Sequence, residues 1–161
     1  IDGTRYGESL ELSQQDTLVL LVNERYKIPE NLYIDHNVFQ LASNNMIAPD
    51  IRIYSAEGST PTLRVQFYTQ EEKPVYDNMD FNWNYKNDTL RFDNYIKLAG
   101  QWRAQRVTLT LYLPENKKVL LPSQTSQYLR NLRDFDRGVR SRLNKDKILL
   151  IMQDGKLQPL M

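Results

Sequence analysis

Apolar and polar residues alternate along most of the chain. Over residues 62–68, Leu63, Val65 and Phe67 fall on one side and Arg64, Gln66 and Tyr68 on the other. Over residues 106–113, Val107, Leu109, Leu111 and Leu113 alternate with Arg106, Thr108, Thr110 and Tyr112. A period of two places successive side chains on opposite faces of a sheet with one buried side. Ile51 with Ile53, Phe81 with Trp83 and Tyr85, and Leu90 with Phe92 repeat the pattern in shorter stretches. Residues 17–22 and 118–121 are apolar runs between polar neighbours, which predicts strands buried on both faces. Turn formers separate these segments: Glu57-Gly58-Ser59, Asn87-Asp88 (a tight hairpin), Pro114-Glu115-Asn116 and Asp154-Gly155. The chain therefore predicts an all-β fold, either two packed sheets or a short β-solenoid, with an antiparallel β-sandwich as the alternative. Leu63, Val65, Phe67, Val107, Leu109 and Leu111 are its predicted core.

One stretch has a different period. Leu129, Leu132, Phe135, Val139 and Leu143 are spaced by 3, 3, 4 and 4 residues, which predicts a helical excursion within about 123–143. Ser123 or Ser126 would cap it, and Gly138 weakens it by about 1 kcal/mol relative to Ala. A last strand over 148–153 follows.

Composition then narrows the chemistry. The 161 residues include 21 Lys and Arg against 20 Asp and Glu, a balance that argues against a wholly basic nucleic-acid-binding domain. With no Cys there is no disulfide framework, thiolate zinc site or cysteine nucleophile. The single histidine, His36, excludes His-rich metal centres and has no G-x-S-x-G beside it. There is no P-loop and no G-x-G-x-x-G. No carboxylate pair is marked out for glycoside hydrolysis. The chain is expected to be neither an enzyme nor the holder of a metal or cofactor. Asp77, Asp80 and Asp93 could be gathered around calcium, but they match no calcium-loop signature and read more simply as turn residues. The apolar runs 18–22 and 148–152 are far shorter than the roughly 18–20 residues of a membrane span.

Three surfaces are candidates for interaction. Residues 130–147 carry seven basic side chains, including Arg130, Arg133, Arg137, Arg140 and Arg142, against three acidic ones. Such a patch could rest on anionic headgroups, while its plain reading is a solvated helix face with Arg–Asp pairs. Tyr95 and Trp102 flank Gly100 and are the aromatics expected to be exposed, whereas Phe81, Trp83 and Tyr85 share a core face. Trp102, Arg103 and Arg106 place guanidinium groups beside an aromatic, as interface anchors do. The competing reading is a structural stack in which Arg103 pairs with a carboxylate such as Asp93.

The segments Ile51–Gln70, Phe81–Leu98 and Gln101–Leu121 resemble the extracytoplasmic C-terminal region of PspC-domain membrane proteins of Bacteroidetes-type bacteria. The most specific element is Trp102-Arg103-Ala104-Gln105-Arg106-Val107 followed by Leu111-Tyr112-Leu113-Pro114-Glu115, with Asn116 where the family usually has Gly. The ending Leu150–Leu157 is similar to the family's "M-x-x-x-G-L" close, with Lys156 between Gly and Leu. The likeness runs over about 48–160, in what is expected to be one extracytoplasmic β domain over 1–161, with the first 45 or so residues matching only loosely.

The resemblance implies a membrane-anchored envelope-stress regulator of the transcriptional-regulator type, with transmembrane helices upstream and an adhesin-head-like β domain in the periplasm. The chain starts at Ile1, which fits an upstream segment. The expected role is a non-catalytic sensory or interaction domain that binds a protein partner or envelope component, with a homo-oligomer left open. The alternative is a surface adhesin or carbohydrate-binding module using Tyr95, Trp102 and Tyr112. A third reading, an envelope hydrolase, requires a pocket that gathers two carboxylates or His36 with a hydroxyl.

Overall fold

The computed structural model describes residues 4–14, 17–26, 38–41, 44–69, 79–100, 104–122 and 147–160, together with 128, 129, 131, 135, 139, 142 and 143. Its strands are β1 (Thr4–Glu11), β2 (Thr17–Asn23), β3 (Val38–Leu41), β4 (Asn44–Ile47), β5 (Asp50–Ala56), β6 (Thr62–Thr69), β7 (Met79–Asp80), β8 (Trp83–Lys86), β9 (Thr89–Asp93), β10 (Ile96–Leu98), β11 (Arg106–Pro114), β12 (Lys118–Leu121), β13 (Ile148–Gln153) and β14 (Lys156–Pro159). They form three sheets: A with order β1-β6-β11-β5, B with order β14-β13-β12-β2-β9-β8, and C with order β3-β4-β10-β7.

The fold is all-β, as the alternation predicts. The chain steps from sheet to sheet, folding back within one only locally, at the β3–β4, β8–β9 and β13–β14 hairpins among the described residues. β1 lies in A, β2 in B, β3 and β4 in C, and β5 and β6 in A again. β11 and β12 likewise pass from A to B. Parallel neighbours are the signature of this winding, because a parallel pair needs a long crossover between its strands. β5 runs parallel to β11, and β2 runs parallel to both β9 and β12. A wholly antiparallel sandwich does not describe these sheets, and the solenoid-like reading does.

Local backbone chemistry places the reversals. Asn87 and Asp88 both have positive φ, 53° and 58°, the conformation that a two-residue turn between twisted strands requires, and they join β8 to β9. Asp154 and Gly155 do the same between β13 and β14 with φ of 54° and 77°. The second of these hairpins adds a strand, β14, beyond the one predicted over 148–153. Asn116 adopts φ 72° between β11 and β12, so the residue standing in the usual Gly position keeps the left-handed turn. Asn reaches this region more readily than other non-Gly residues.

The inward faces of the sheets meet in one core. Leu63 and Val65 of β6, Val107, Leu109, Leu111 and Leu113 of β11, and Leu90 and Phe92 of β9 are buried there. Phe67 is half-buried and packs edge-on to Phe81 at 6.4 Å, an adjustment to the predicted core. In β2 and β12 only alternate residues are fully buried; Val19, Leu21 and Leu120 are half-exposed, so the second face of these strands is less covered than the apolar runs predict. Of the predicted helical stripe, Leu129, Phe135, Val139 and Leu143 are buried in the core, Val139 and Arg142 are helical, and Leu132 lies outside the described residues.

Tyr128, Leu129 and Asn131 serve another purpose. Tyr128 packs edge-on to Phe92 at 5.7 Å. Leu129 forms a parallel bridge to Ile51, on the open edge of β5. The buried Asn131 side chain then continues that bridge: its Oδ1 accepts from the Ile53 N–H at 3.1 Å and its Nδ2 donates to the Ile53 carbonyl at 2.6 Å. One amide thus satisfies a donor and an acceptor that the edge strand would otherwise leave unpaired.

Candidate functional site

Two polar constellations stand outside the core. The first joins three segments around Arg25, which follows β2. Its guanidinium meets Asp80 of β7 through both terminal nitrogens at 2.8 Å and Asp93 of β9 at 3.0 Å. Asp93 is buried, and its remaining lone pairs accept from Asn23 Nδ2 at 3.2 Å and from the Asn82 backbone N–H at 2.8 Å. The Tyr26 hydroxyl donates to Asp80 at 3.0 Å, and the Arg25 guanidinium lies 5.0 Å from the Tyr26 ring centre. Asn94 clasps the Tyr26 backbone from both sides, accepting from its N–H and donating to its carbonyl.

The electrostatics follow from these bonds. The hydrogen bond to Arg25 holds the Asp80 carboxyl below the usual carboxylate range, with the Tyr26 hydroxyl adding to the effect. Partial burial, then the bond to Asp80, pushes the Tyr26 phenol up to about 12. The Arg25 guanidinium, bonded to Asp80 and Asp93, is held firmly in its charged form. Asp80 and Asp93 thus come together, as the calcium reading requires, but around a guanidinium and not an open oxygen cage. Asp77 and His36 lie outside the described residues. Beside this cluster a shallow cavity of about 310 Å³ is lined by Asn23, Asn84, Arg91 and Asp93 among others. This constellation ties β2, β7 and β9 together.

The second constellation is the outward face of sheet A. Register builds it row by row. Tyr68 of β6 stands opposite Arg106 of β11, Gln66 opposite Thr108, Arg64 opposite Thr110 and Thr62 opposite Tyr112. On the other side of β11, Thr110 is level with Arg52 of β5 and Tyr112 with Tyr54. Thr110 is buried although it points outward, between Arg64 and Arg52 on the two adjoining strands. The Arg106 guanidinium lies over the Tyr68 ring at 4.6 Å, and the Tyr54 and Tyr112 rings stand 6.1 Å apart at a 30° tilt. A groove of about 230 Å³ runs between Arg52, Gln66, Tyr68, Arg106, Thr108 and Thr110. Arg64 and Arg106 are exposed, and none of Arg52, Arg64 and Arg106 forms an ion pair among the described residues. The carboxylates of the face are Asp50, on the edge strand β5, and Glu11, on the edge strand β1.

The structure redistributes the residues picked from sequence. Arg106 and Tyr112 lie together on the outward face of sheet A, which the alternation in β11 implies. Tyr95 is buried, 6% exposed, beside Met46, and burial raises its phenol pKa; it cannot belong to an exposed stacking platform. Tyr95 thereby drops out of the predicted platform of Tyr95, Trp102 and Tyr112. Asp93, offered as a partner for Arg103, is bonded to Arg25. Trp102 and Arg103 lie outside the described residues, as do Arg130, Arg133, Arg137 and Arg140; Arg142 is exposed and engaged in a contact of its own. Ala104, just before β11, has φ 57°, so the chain enters that strand through a left-handed bend.

Arg52, Arg64, Tyr54 and Tyr68 were not singled out in the sequence. Their outward direction is legible from the alternation, but their gathering depends on β5 lying beside β11, more than 50 residues away in the chain.

The family model for the ToastRack domain found in some PspC proteins, in its C-terminal form, matches residues 50–159. No curated protein and no solved structure matches the chain. The matched region opens at β5 and runs to the end of β14, so it contains three of the four strands of sheet A. β2, which precedes it, is nonetheless an interior strand of sheet B between β12 and β9.

Proposed function

The chain belongs to the ToastRack domains found in some PspC proteins, and from that membership we propose that it is the non-catalytic interaction domain of a membrane-anchored envelope-stress regulator. PspC association links it to a membrane protein, and no helix among the described residues is long and apolar enough to cross a membrane. The proposed place of the domain is the extracytoplasmic side of the inner membrane, where it reports the presence of a partner or envelope component. Family membership alone does not carry this reading, since one fold hosts many functions.

The observation that carries it is the outward face of sheet A. The guanidinium groups of Arg52, Arg64 and Arg106 stand there among tyrosines with no ion pair among the described residues, while the inward face of the same strands is closed apolar core. Arg and Tyr are the side chains enriched where interfaces concentrate their binding energy. The Arg25 cluster, by contrast, has its charges satisfied within the fold and serves architecture.

The test is a photo-reactive residue at position 108 of the full-length membrane protein, compared with one at position 91, which is exposed on the outward face of sheet B. Adducts formed in cells at 108 in clear excess over 91 are expected. Equal yields at the two positions, or none at 108, would refute the reading.

A further inference from the structure

Resting on the reading of sheet A as the interaction face, we infer that its ligand is an acidic glycan laid along β11. Length, charge and surface chemistry argue for this class. From Arg106 to Tyr112 the strand rises about 20 Å, at roughly 3.3 Å per residue, so the face offers an extended track and not a single pocket. Along that track the contacts alternate. Arg106 over Tyr68 stands at one end, Arg52 and Arg64 flank Thr110 in the middle, and Tyr54 with Tyr112 closes the other end. The middle arginines sit on strands two places apart, about 10 Å across the sheet, so they bracket one chain from both sides.

Charge complementarity calls for spaced anions. Guanidinium forks recognise carboxylate and phosphate groups through paired N–H donors, and these three have no carboxylate partner among the described residues. Between the charges the face presents Thr108 with Gln66 beside it, both half-buried, groups that match the hydroxyls of a sugar chain, while Thr110 is buried between Arg52 and Arg64. The Tyr54 and Tyr112 rings at one end suit the apolar faces of sugar rings, while at the other end Arg106 already lies over the Tyr68 ring. A bilayer fits less well. Ala56 and the buried Pro114, level with it at one end of the face, are the only aliphatic side chains on the outward positions of β5, β6 and β11, so nothing long enough to enter hydrocarbon stands there. Sheet B is the contrast: Val19, Leu21 and Leu120 face outward from it, half-exposed.

The experiment titrates the 161-residue chain with a linear tetra-uronate and follows binding by calorimetry and by amide shifts in β11. A neutral tetrasaccharide, inorganic polyphosphate of similar charge and vesicles containing phosphatidylglycerol serve as comparisons. The tetra-uronate is expected to bind in preference to all three, with R52Q/R64Q/R106Q lowering affinity at least tenfold and Y54A/Y112A at least threefold. Urea melts check that the variants fold as the parent does. If a variant does not fold, the amide shifts of the parent decide alone. Shifts that map to β11 and its neighbours support the inference, and shifts that map elsewhere overturn it. Absence of tetra-uronate binding overturns it, and so does polyphosphate or vesicle binding of equal strength. Adducts at position 108 with a protein, combined with no uronate binding, would leave the interaction face standing and remove the glycan.

Discussion

Asn131 offers the sharpest test of how this fold ends one of its sheets. Its side-chain amide closes two hydrogen bonds with the backbone of Ile53, and both partners are buried. Replacing it with leucine keeps the volume and removes both bonds. An orphaned buried donor or acceptor costs about 1–3 kcal/mol, so two of them cost about 2–6 kcal/mol. The leucine recovers about 1 kcal/mol through burial of its extra apolar surface. Asn131→Leu should therefore destabilise by about 1–5 kcal/mol. For a chain of this size each kcal/mol lowers Tm by about 2–4 °C.

Asn131→Asp separates lost hydrogen bonds from lost shape. A protonated carboxyl has one donor and one acceptor, as the amide does, and can make both bonds to Ile53. The ionised form places a charged oxygen against the Ile53 carbonyl in a buried site. Burial and this repulsion raise the folded-state pKa of the introduced carboxyl above its unfolded value of about 3.9. A group with a raised folded pKa contributes stability that is present below the unfolded pKa and lost as pH rises through the folded one. The deficit of Asn131→Asp relative to the parent should thus be small near pH 4 and grow toward pH 7. Urea denaturation of the parent and both variants at the two pH values, with m-values compared, measures this directly. A leucine variant within about 1 kcal/mol of the parent, or an aspartate variant whose deficit does not change with pH, would refute the account of the β5 edge.

Other consequences can be measured in the same way. Arg25→Met should destabilise by about 2–3 kcal/mol in a thermal melt, less than the roughly 3–5 of a fully buried pair, because Arg25 is a third exposed and Asp93 keeps its bonds to Asn23 and Asn82. The Asp80 carboxyl is depressed by Arg25, so its contribution is present above the unfolded pKa and lost as pH falls through the folded one; Asp80→Asn should flatten the acid side of the stability-versus-pH curve, and an unchanged acid limb would count against the bond. Asn116→Gly should match or exceed the parent in Cm, and Asn116→Ile should lose about 1–2 kcal/mol, because φ 72° is open to glycine and costly for a β-branched residue.

What could be read along the chain was set by neighbours in the chain. Alternation assigned inner and outer faces to β6 and β11, because a strand's side-chain direction depends only on its own backbone. Asn87-Asp88 and Asp154-Gly155 announced hairpins, and Asn116 held its turn, because positive φ is a property of single residues. The helical period in 129–143 picked out Leu129, Phe135, Val139 and Leu143, which are buried, although Leu129 and Asn131 complete a sheet edge there. The lead-in Trp102-Arg103-Ala104-Gln105-Arg106-Val107 and the turn after Pro114 pointed to the family.

Partnerships across the chain were decided elsewhere. Arg25 meets Asp93 across 68 residues and Asn131 meets Ile53 across 78, distances over which no local preference acts. Tyr95 beside a glycine-containing loop looks exposed from its neighbours, yet packing against Met46 buries it. The arginine and tyrosine track exists because burying the apolar faces of β5 and β11 side by side brings their outward residues into register. The sequence by itself determined which way each of those side chains points; the collapse of three sheets onto one core determined which of them stand together.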